Sequence, residues 1–149
     1  MNPWTKDMLA EGLRNAARRD QSKAAAELLI EHGDWLEALL DEERPQSANH
    51  VRRFAQWGMA TDEEKFYAHL EWAEMARHLQ TAGHTYSDTQ VKVFMVAASL
   101  REGVPVNLME ITEGLDAEHA RMIVEAIAHA AWPITRTVMA ELDVQAPVT

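Results

Sequence analysis

Apolar residues recur at three- and four-residue spacing along most of the chain, which is the pattern of amphipathic α-helices. The segment Asp88–Glu102 is apolar nearly all round its projected helix, and such a helix is expected to be buried. The segment Glu63–Ala82 is apolar over more than half of its circumference. We therefore expect these two segments to form the centre of the domain.

Helix start and stop signals divide the chain into further elements. Both Thr61-Asp62-Glu63-Glu64 and Ser87-Asp88-Thr89-Gln90 have the capping-box sequence, and Gly83 and Gly103 stand where the helices that follow should end. Other predicted helices run from Pro3 to about Arg19, from Ala24 to His32 with Ser22 as cap, from Asp34 to before Pro45, from Ser47 to near Gly58, from Asn107 to Gly114, from Asp116 to Trp132, and on to about Leu142.

No segment alternates apolar and polar residues for long between turn signals, so no strand is predicted. The predicted fold is all-α, a single compact domain of about six to eight helices over residues 1–143 without a sheet. Residues 144–149, which include Pro147, are predicted to form a flexible C-terminal tail.

Composition narrows the setting. The 149 residues are 47% apolar, enough for one domain with one core. The absence of Cys excludes disulfides, thiolate metal sites and cysteine catalysis, and fits a reducing cytoplasm. No apolar run approaches the roughly 20 residues of a membrane helix, and the first residues lack the features of a signal peptide. A cytoplasmic protein without membrane contact is expected.

The net charge of −10 indicates the class of partner. Duplex DNA and anionic lipid repel such a protein, whereas a basic protein surface attracts it. Seven carboxylates follow one another without an intervening Lys or Arg: Glu27, Glu31, Asp34, Glu37, Asp41, Glu42 and Glu43. Trp35 lies within this run, and a partly exposed Trp there would anchor an interface. These eight residues are the predicted contact surface for a basic protein or nucleoprotein complex.

Two predicted helices carry Glu and His along one stripe: Glu71, Glu74 and His78 on the first, Glu125 and His129 on the second. Facing helices hold di-metal centres with such side chains, but those centres use Glu and His three residues apart, not four. Four-residue spacing still lets both side chains reach one ion. A metal-binding protein is therefore an alternative, and the simpler interpretation is two solvated helix faces. No cofactor is assigned.

The order of predicted elements over residues 89–131, a long helix, a short helix and a second long helix, resembles the three-helix core of a helix-turn-helix domain. The segment Asp116–Ala131 takes the recognition position. Its only Lys or Arg is Arg121, so its charge opposes phosphate binding. A helix-turn-helix-related regulator is the second alternative, although direct DNA binding is not expected.

The run Leu-Met-Glu-Ile-Thr-Glu-Gly-Leu-Asp, from Leu108 to Asp116, resembles small helical proteins of unknown function encoded on plasmids and integrative elements, which imply no catalytic residues. The small, Cys-free, helical and acidic profile is similar to that of anti-CRISPR and anti-restriction proteins of phages and mobile elements. That similarity implies a non-enzymatic inhibitor that engages the basic nucleic-acid-binding surface of a defence complex. Neither a nucleophile elbow nor a glycine-rich phosphate loop indicates an enzyme. A homo-oligomer formed through exposed Trp and Met side chains is a further alternative.

Overall fold

The computed structural model describes residues 4–41, 51–60, 65–81 and 86–132. Its elements in chain order are α1 (Lys6–Ala16), α2 (Asp20–His32), α3 (Asp34–Leu40), a 3₁₀ turn (Val51–Phe54), β1 (Ala55–Ala60), β2 (Lys65–Leu70), α4 (Trp72–Leu79), α5 (Asp88–Glu102), α6 (Leu108–Thr112) and α7 (Ala117–Ala131). The described residues therefore form seven helices and one two-stranded antiparallel sheet.

The last three helices begin where their capping residues predict. The side chains of Ser87, Asn107 and Asp116 each accept a hydrogen bond from a backbone amide two or three residues further on. Gly103 ends α5 in the left-handed region with φ of 72°. The predicted helix Asp88–Glu102 is confirmed residue for residue.

Two helix starts near the N-terminus differ from the predicted ones. Thr5 caps α1 by accepting a hydrogen bond from the Met8 amide, whereas the predicted start at Pro3 lies outside the described residues. The second helix already begins at Asp20, so Ser22 lies inside it and is buried.

The prediction of a fold without a sheet is wrong, because β1 and β2 pair as an antiparallel hairpin. Ala55 lies opposite Leu70, and Ala60 lies opposite Lys65. The hairpin occupies much of the two segments predicted as helices between Ser47 and Ala82, and the other described residues there form the 3₁₀ turn and α4. Residues 61–64, predicted to cap a helix, lie outside the described residues.

Packing against α1 explains why β2 is a strand. Phe66 and Leu70 are four residues apart, so their spacing suits a helix face as well as one face of a strand. In the structure, α1 passes so close to β2 that a Cβ on Gly12 would lie 2.9 Å from the Ala68 backbone nitrogen. The Asn15 side chain also donates a hydrogen bond of 2.8 Å to the Phe66 carbonyl oxygen. Tertiary contact, which local spacing does not reveal, decides between the two conformations.

The core surrounds α5, whose residues 93–98 are all buried. Trp35 is 0% exposed, and its Nε1 donates a hydrogen bond of 2.8 Å to the Gln90 carbonyl oxygen. The ring centroids of Trp35 and Phe94 lie 5.3 Å apart. The Phe94 ring also stacks on the Trp72 ring, with 5.7 Å between their centroids. The expectation that Trp35 is partly exposed is therefore wrong. This indole is a core residue whose polar nitrogen is satisfied by the central helix.

Every described element contributes at least one side chain to a single hydrophobic cluster. No helix among the described residues is both long and apolar enough to cross a lipid bilayer. The predicted domain limit at residue 143 and the tail at residues 144–149 lie outside the described residues.

The contact between α1 and β2 leads to a stability prediction. Alanine normally stabilises a helix interior by about 1 kcal/mol relative to glycine. At Gly12 the added methyl group would meet the backbone of β2, so Gly12→Ala is expected to lower the free energy of unfolding by about 1–3 kcal/mol, the usual cost of overpacking. Urea unfolding followed by circular dichroism measures this change.

Gly58→Ala is the matched control, because a Cβ at Gly58 meets no atom within 4 Å and the residue has no positive φ. This variant should be as stable as the parent protein or slightly more stable. Equal stability of the Gly12→Ala and Gly58→Ala proteins would contradict the close packing of α1 on the hairpin.

Candidate functional site

Part of the acidic run on α2 and α3 is paired with cations of the same molecule. Three of its carboxylates form salt bridges with cations of α1 or α7: Glu27 with Arg14 (2.6 Å), Glu31 with Arg121 (3.2 Å) and Glu37 with Lys6 (2.7 Å). Asp34 is exposed and Asp41 is half-buried, while Glu42 and Glu43 lie outside the described residues. Trp35 is in the core, so it presents no surface to a partner. Partner binding through the acidic run stays a prediction, and a basic partner would compete there with intramolecular cations.

The five candidate metal ligands lie in two groups, one on or next to α4 and one on α7, and most already have other contacts. Three of them contact arginines: Glu74 with Arg77 (2.9 Å), His78 with Arg53 (3.3 Å) and Glu125 with Arg121 (2.9 Å). Glu71 is exposed beside the start of α4, and His129 lines a very small cavity between α2 and α7. Within the described ranges, no three His, Asp or Glu side chains are arranged to hold a metal ion. The geometry therefore gives the metal-binding alternative no support.

Two histidines meet where α2 ends and α7 begins. The rings of His32 and His119 lie 5.3 Å apart, and the buried Nδ1 of His32 has no hydrogen-bond partner among the described residues. Burial lowers the pKa of His32; Asp34 opposes this shift and His119 adds to it. His119 Nδ1 lies 2.8 Å from the Asp116 carboxylate, which caps α7. Hydrogen bonds from the His119 backbone amide and ring lower the pKa of Asp116.

Helices α5, α6 and α7 follow one another in the order of a helix-turn-helix domain, but α7 has an unsuitable surface for reading DNA. Its exposed side chains include Val124 and Ile127. Arg121 is bound to both Glu31 and Glu125, and the hydrogen bonds to these carboxylates raise the pKa of its guanidinium. The one Arg of this helix is thus already paired with carboxylates, whereas base and phosphate contacts require free donors.

A concave surface lies elsewhere among the described residues, in a groove of about 940 Å³ between α4, α5 and α6. Such a volume is within the range of ligand-binding clefts. The described residues that line it are Leu79, Gln80, Asp88, Val91, Lys92, Met95, Pro105, Val106, Asn107, Glu110, Ile111 and Glu113. We refer to this surface as the α4–α6 groove.

The floor of the α4–α6 groove is built from one buried side chain of each helix. Leu79 comes from α4, Met95 from α5 and Ile111 from α6. Lys92 fastens α6 in place, because its ammonium donates to the Glu113 carbonyl oxygen and pairs with the Asp88 carboxylate at 2.9 Å. Apolar packing and one charged side chain therefore set the position of the α6 wall.

The rim of the groove carries three carboxylates, of which Asp88 is paired with Lys92. Asp88 lies at the start of α5, and Glu110 and Glu113 lie on or next to α6. Glu110 and Glu113 are exposed and form no salt bridge with any described residue, in contrast to the three paired carboxylates of α2 and α3. On the same short helix, Leu108 and Met109 are 61% and 71% exposed. This region combines concave shape, apolar surface and unpaired negative charge.

Sequence reasoning did not select Glu110 and Glu113 as contact residues, although a signal was present. Residues 102–120 contain five carboxylates and no Lys or Arg, as free of cations as the acidic run on α2 and α3. The two stretches differ in the folded chain, because cations of α1 and α7 form salt bridges with the acidic run on α2 and α3. The exposed Met109 and Trp132 agree with apolar side chains available for an oligomer contact, which stays a prediction.

Comparison of the chain with models of protein families, with curated proteins and with solved structures finds no match in any of the three.

The environment of His32 predicts a pH dependence of stability. Because its pKa is lower in the folded than in the unfolded protein, the folded state resists protonation at this ring. Its contribution to stability is fully present above the unfolded pKa of about 6.5 and is lost as the pH falls below that value. The free energy of unfolding from urea titrations should therefore decrease between pH 7.5 and pH 5.5.

His32→Gln tests whether this ring causes the decrease, because the amide has no proton to gain in that range. The variant should show a flatter profile than the parent protein. Asp116 does not interfere, since the lowered pKa of a carboxylate affects stability only in more acidic solution. Parallel profiles for the two proteins would contradict the assignment to His32.

Proposed function

We propose that this chain is a non-enzymatic protein-binding protein and that the α4–α6 groove holds a basic, partly apolar surface of its partner. The observation that carries the proposal is the coincidence of an apolar groove floor with Glu110 and Glu113, which no described cation neutralises. Apolar area supplies affinity in such an interface, while complementary charge supplies specificity and a faster association rate.

The class of partner follows from the negative electrostatic potential of the chain. A chain with a net charge of −10 attracts proteins that carry Lys and Arg for nucleic-acid binding. A nucleoprotein complex of a defence system is such a partner, and an inhibitor of the anti-CRISPR or anti-restriction type would occupy the basic surface that the complex uses for nucleic acid. A cytoplasmic setting belongs to the same proposal and is supported by the lack of Cys.

The acidic run on α2 and α3 is the alternative place for this contact. Binding there would require Lys6, Arg14 or Arg121 to release its carboxylate. Exposed salt bridges contribute only about 0–1 kcal/mol each, so a strongly basic partner could displace them. The groove requires no such exchange, and we therefore place the primary contact at the groove.

Site-specific photo-crosslinking tests the proposal. A photo-reactive residue in place of exposed Met109 on α6 should capture a partner from cell lysate, and one in place of exposed Arg18 near α1 should not. Raising the salt concentration from about 0.05 M to about 0.5 M should reduce capture strongly, because the screening length falls well below 10 Å.

Charge reversal provides the decisive control. The double variant Glu110→Lys and Glu113→Lys should reduce capture by about tenfold, since attraction turns into repulsion at two positions. Glu11→Lys, an exposed carboxylate on α1 without a salt bridge in the described structure, should leave capture unchanged. Capture at position 109 that is indifferent to both salt and the double variant would refute the proposed function.

A further inference from the structure

We propose that the occupant of the α4–α6 groove is a cationic amphipathic helix, with its apolar side chains on the groove floor and lysines or arginines beside Glu110 and Glu113 on the α6 wall. This inference rests on the proposed function and specifies the chemistry of the partner at that site. It follows from the distribution of apolar and charged residues across the groove rather than from its volume alone.

The floor suits a row of apolar side chains. Val91 and Met95 are one turn apart on α5, so they form a continuous apolar strip along that wall. Ile111 faces this strip from α6, and Val106 extends the apolar surface through the connection between the two helices. A helix that lays its apolar face into a groove presents side chains at positions i, i+3, i+4 and i+7, which match such a strip.

The α6 wall suits positive charge along one side of that row. Glu110 and Glu113 stand there without a salt bridge to a described residue, whereas Asp88 is already paired with Lys92. Lysine and arginine at the borders of an apolar face extend their aliphatic stems along it and place their charges at its edge. The carboxylates of the rim lie where these charges would be.

The one cation among the described lining residues does not cancel the negative charge of the groove rim. Lys92 is mostly buried, and its ammonium is already engaged by the Asp88 carboxylate and the Glu113 carbonyl oxygen. An acidic segment or a nucleic acid would meet Glu110 and Glu113 without a free cation in the lining to compensate. Charge complementarity therefore selects a basic polypeptide as the occupant.

A peptide-binding experiment tests this inference directly. The probe is a fluorescein-labelled helical peptide of about 16 residues, long enough to form helix on binding, with Leu at i, i+3, i+4 and i+7 and Lys elsewhere. A second peptide has the same composition but no single apolar face, and a third carries Glu in place of Lys. Fluorescence anisotropy with the full chain should show saturable binding of the first peptide. The second should bind at least about tenfold more weakly and the third not at all.

Protein variants locate the binding. Val106→Trp fills the groove without changing charge and should weaken binding of the first peptide by about tenfold or more. The combination of Glu110→Lys and Glu113→Lys, both at exposed positions, should weaken it to a similar degree, whereas Glu11→Lys on α1 should not. Circular dichroism melting curves show whether each variant is folded. If the Val106→Trp protein does not fold, the double variant, whose substitutions are at exposed positions, still tests the inference.

Equal affinity for the two lysine peptides would overturn the inference, since binding would then depend on charge without an apolar face. Unchanged affinity of a folded Val106→Trp protein would overturn it as well. Either result would leave the proposed function standing if salt-sensitive crosslinking at position 109 persisted. Absence of crosslinking at position 109 even at low salt would instead refute the proposed function itself.

Discussion

A helix that is apolar on all sides has to be covered on all sides, and this requirement of α5 organises the molecule. Helices α2, α4 and α7 pack around it, and the Phe94 ring contacts both Trp35 and Trp72. Near the start of α5, Val91 and Met95 line the α4–α6 groove. Among the described residues, the groove is thus where the central helix is not covered by its neighbours, and its apolar floor continues the core.

The distribution of charge along the chain differs from the distribution of charge on the surface. Both cation-free stretches of the sequence look alike in composition, but α2 and α3 contact Lys6, Arg14 and Arg121, whereas the one described cation that contacts the end of α6 is Lys92. Residues far apart in the chain produce this difference, as Glu31 and Arg121 illustrate with a separation of 90 positions. The order of acidic residues along the chain therefore does not show which of them remain unpaired on the surface.

Features that depend on a few neighbouring residues, such as helix caps, were predicted well from the sequence. Features that depend on contacts between distant elements were not. Capping side chains located α5, α6 and α7 because a cap bonds to amides only two or three positions away. The hairpin was missed because Phe66 and Leu70 fit either period, and the deciding contact with Gly12 lies more than 50 positions away. Trp35 was misplaced for the same reason, since its carboxylate neighbours in sequence are not its neighbours in space. The groove is lined by residues of three helices, so the pattern of no single segment predicts it.

The way α6 is attached has a consequence for adaptability. This five-residue helix contributes one buried side chain, Ile111, and is otherwise fastened by Lys92 through the Glu113 carbonyl oxygen. Among the described contacts, the buried Ile111 side chain and the Lys92 ammonium therefore set how far this wall lies from α5. The width of the groove is thus adjustable through these two side chains, although truncation of the buried Ile111 costs about 2–5 kcal/mol of stability.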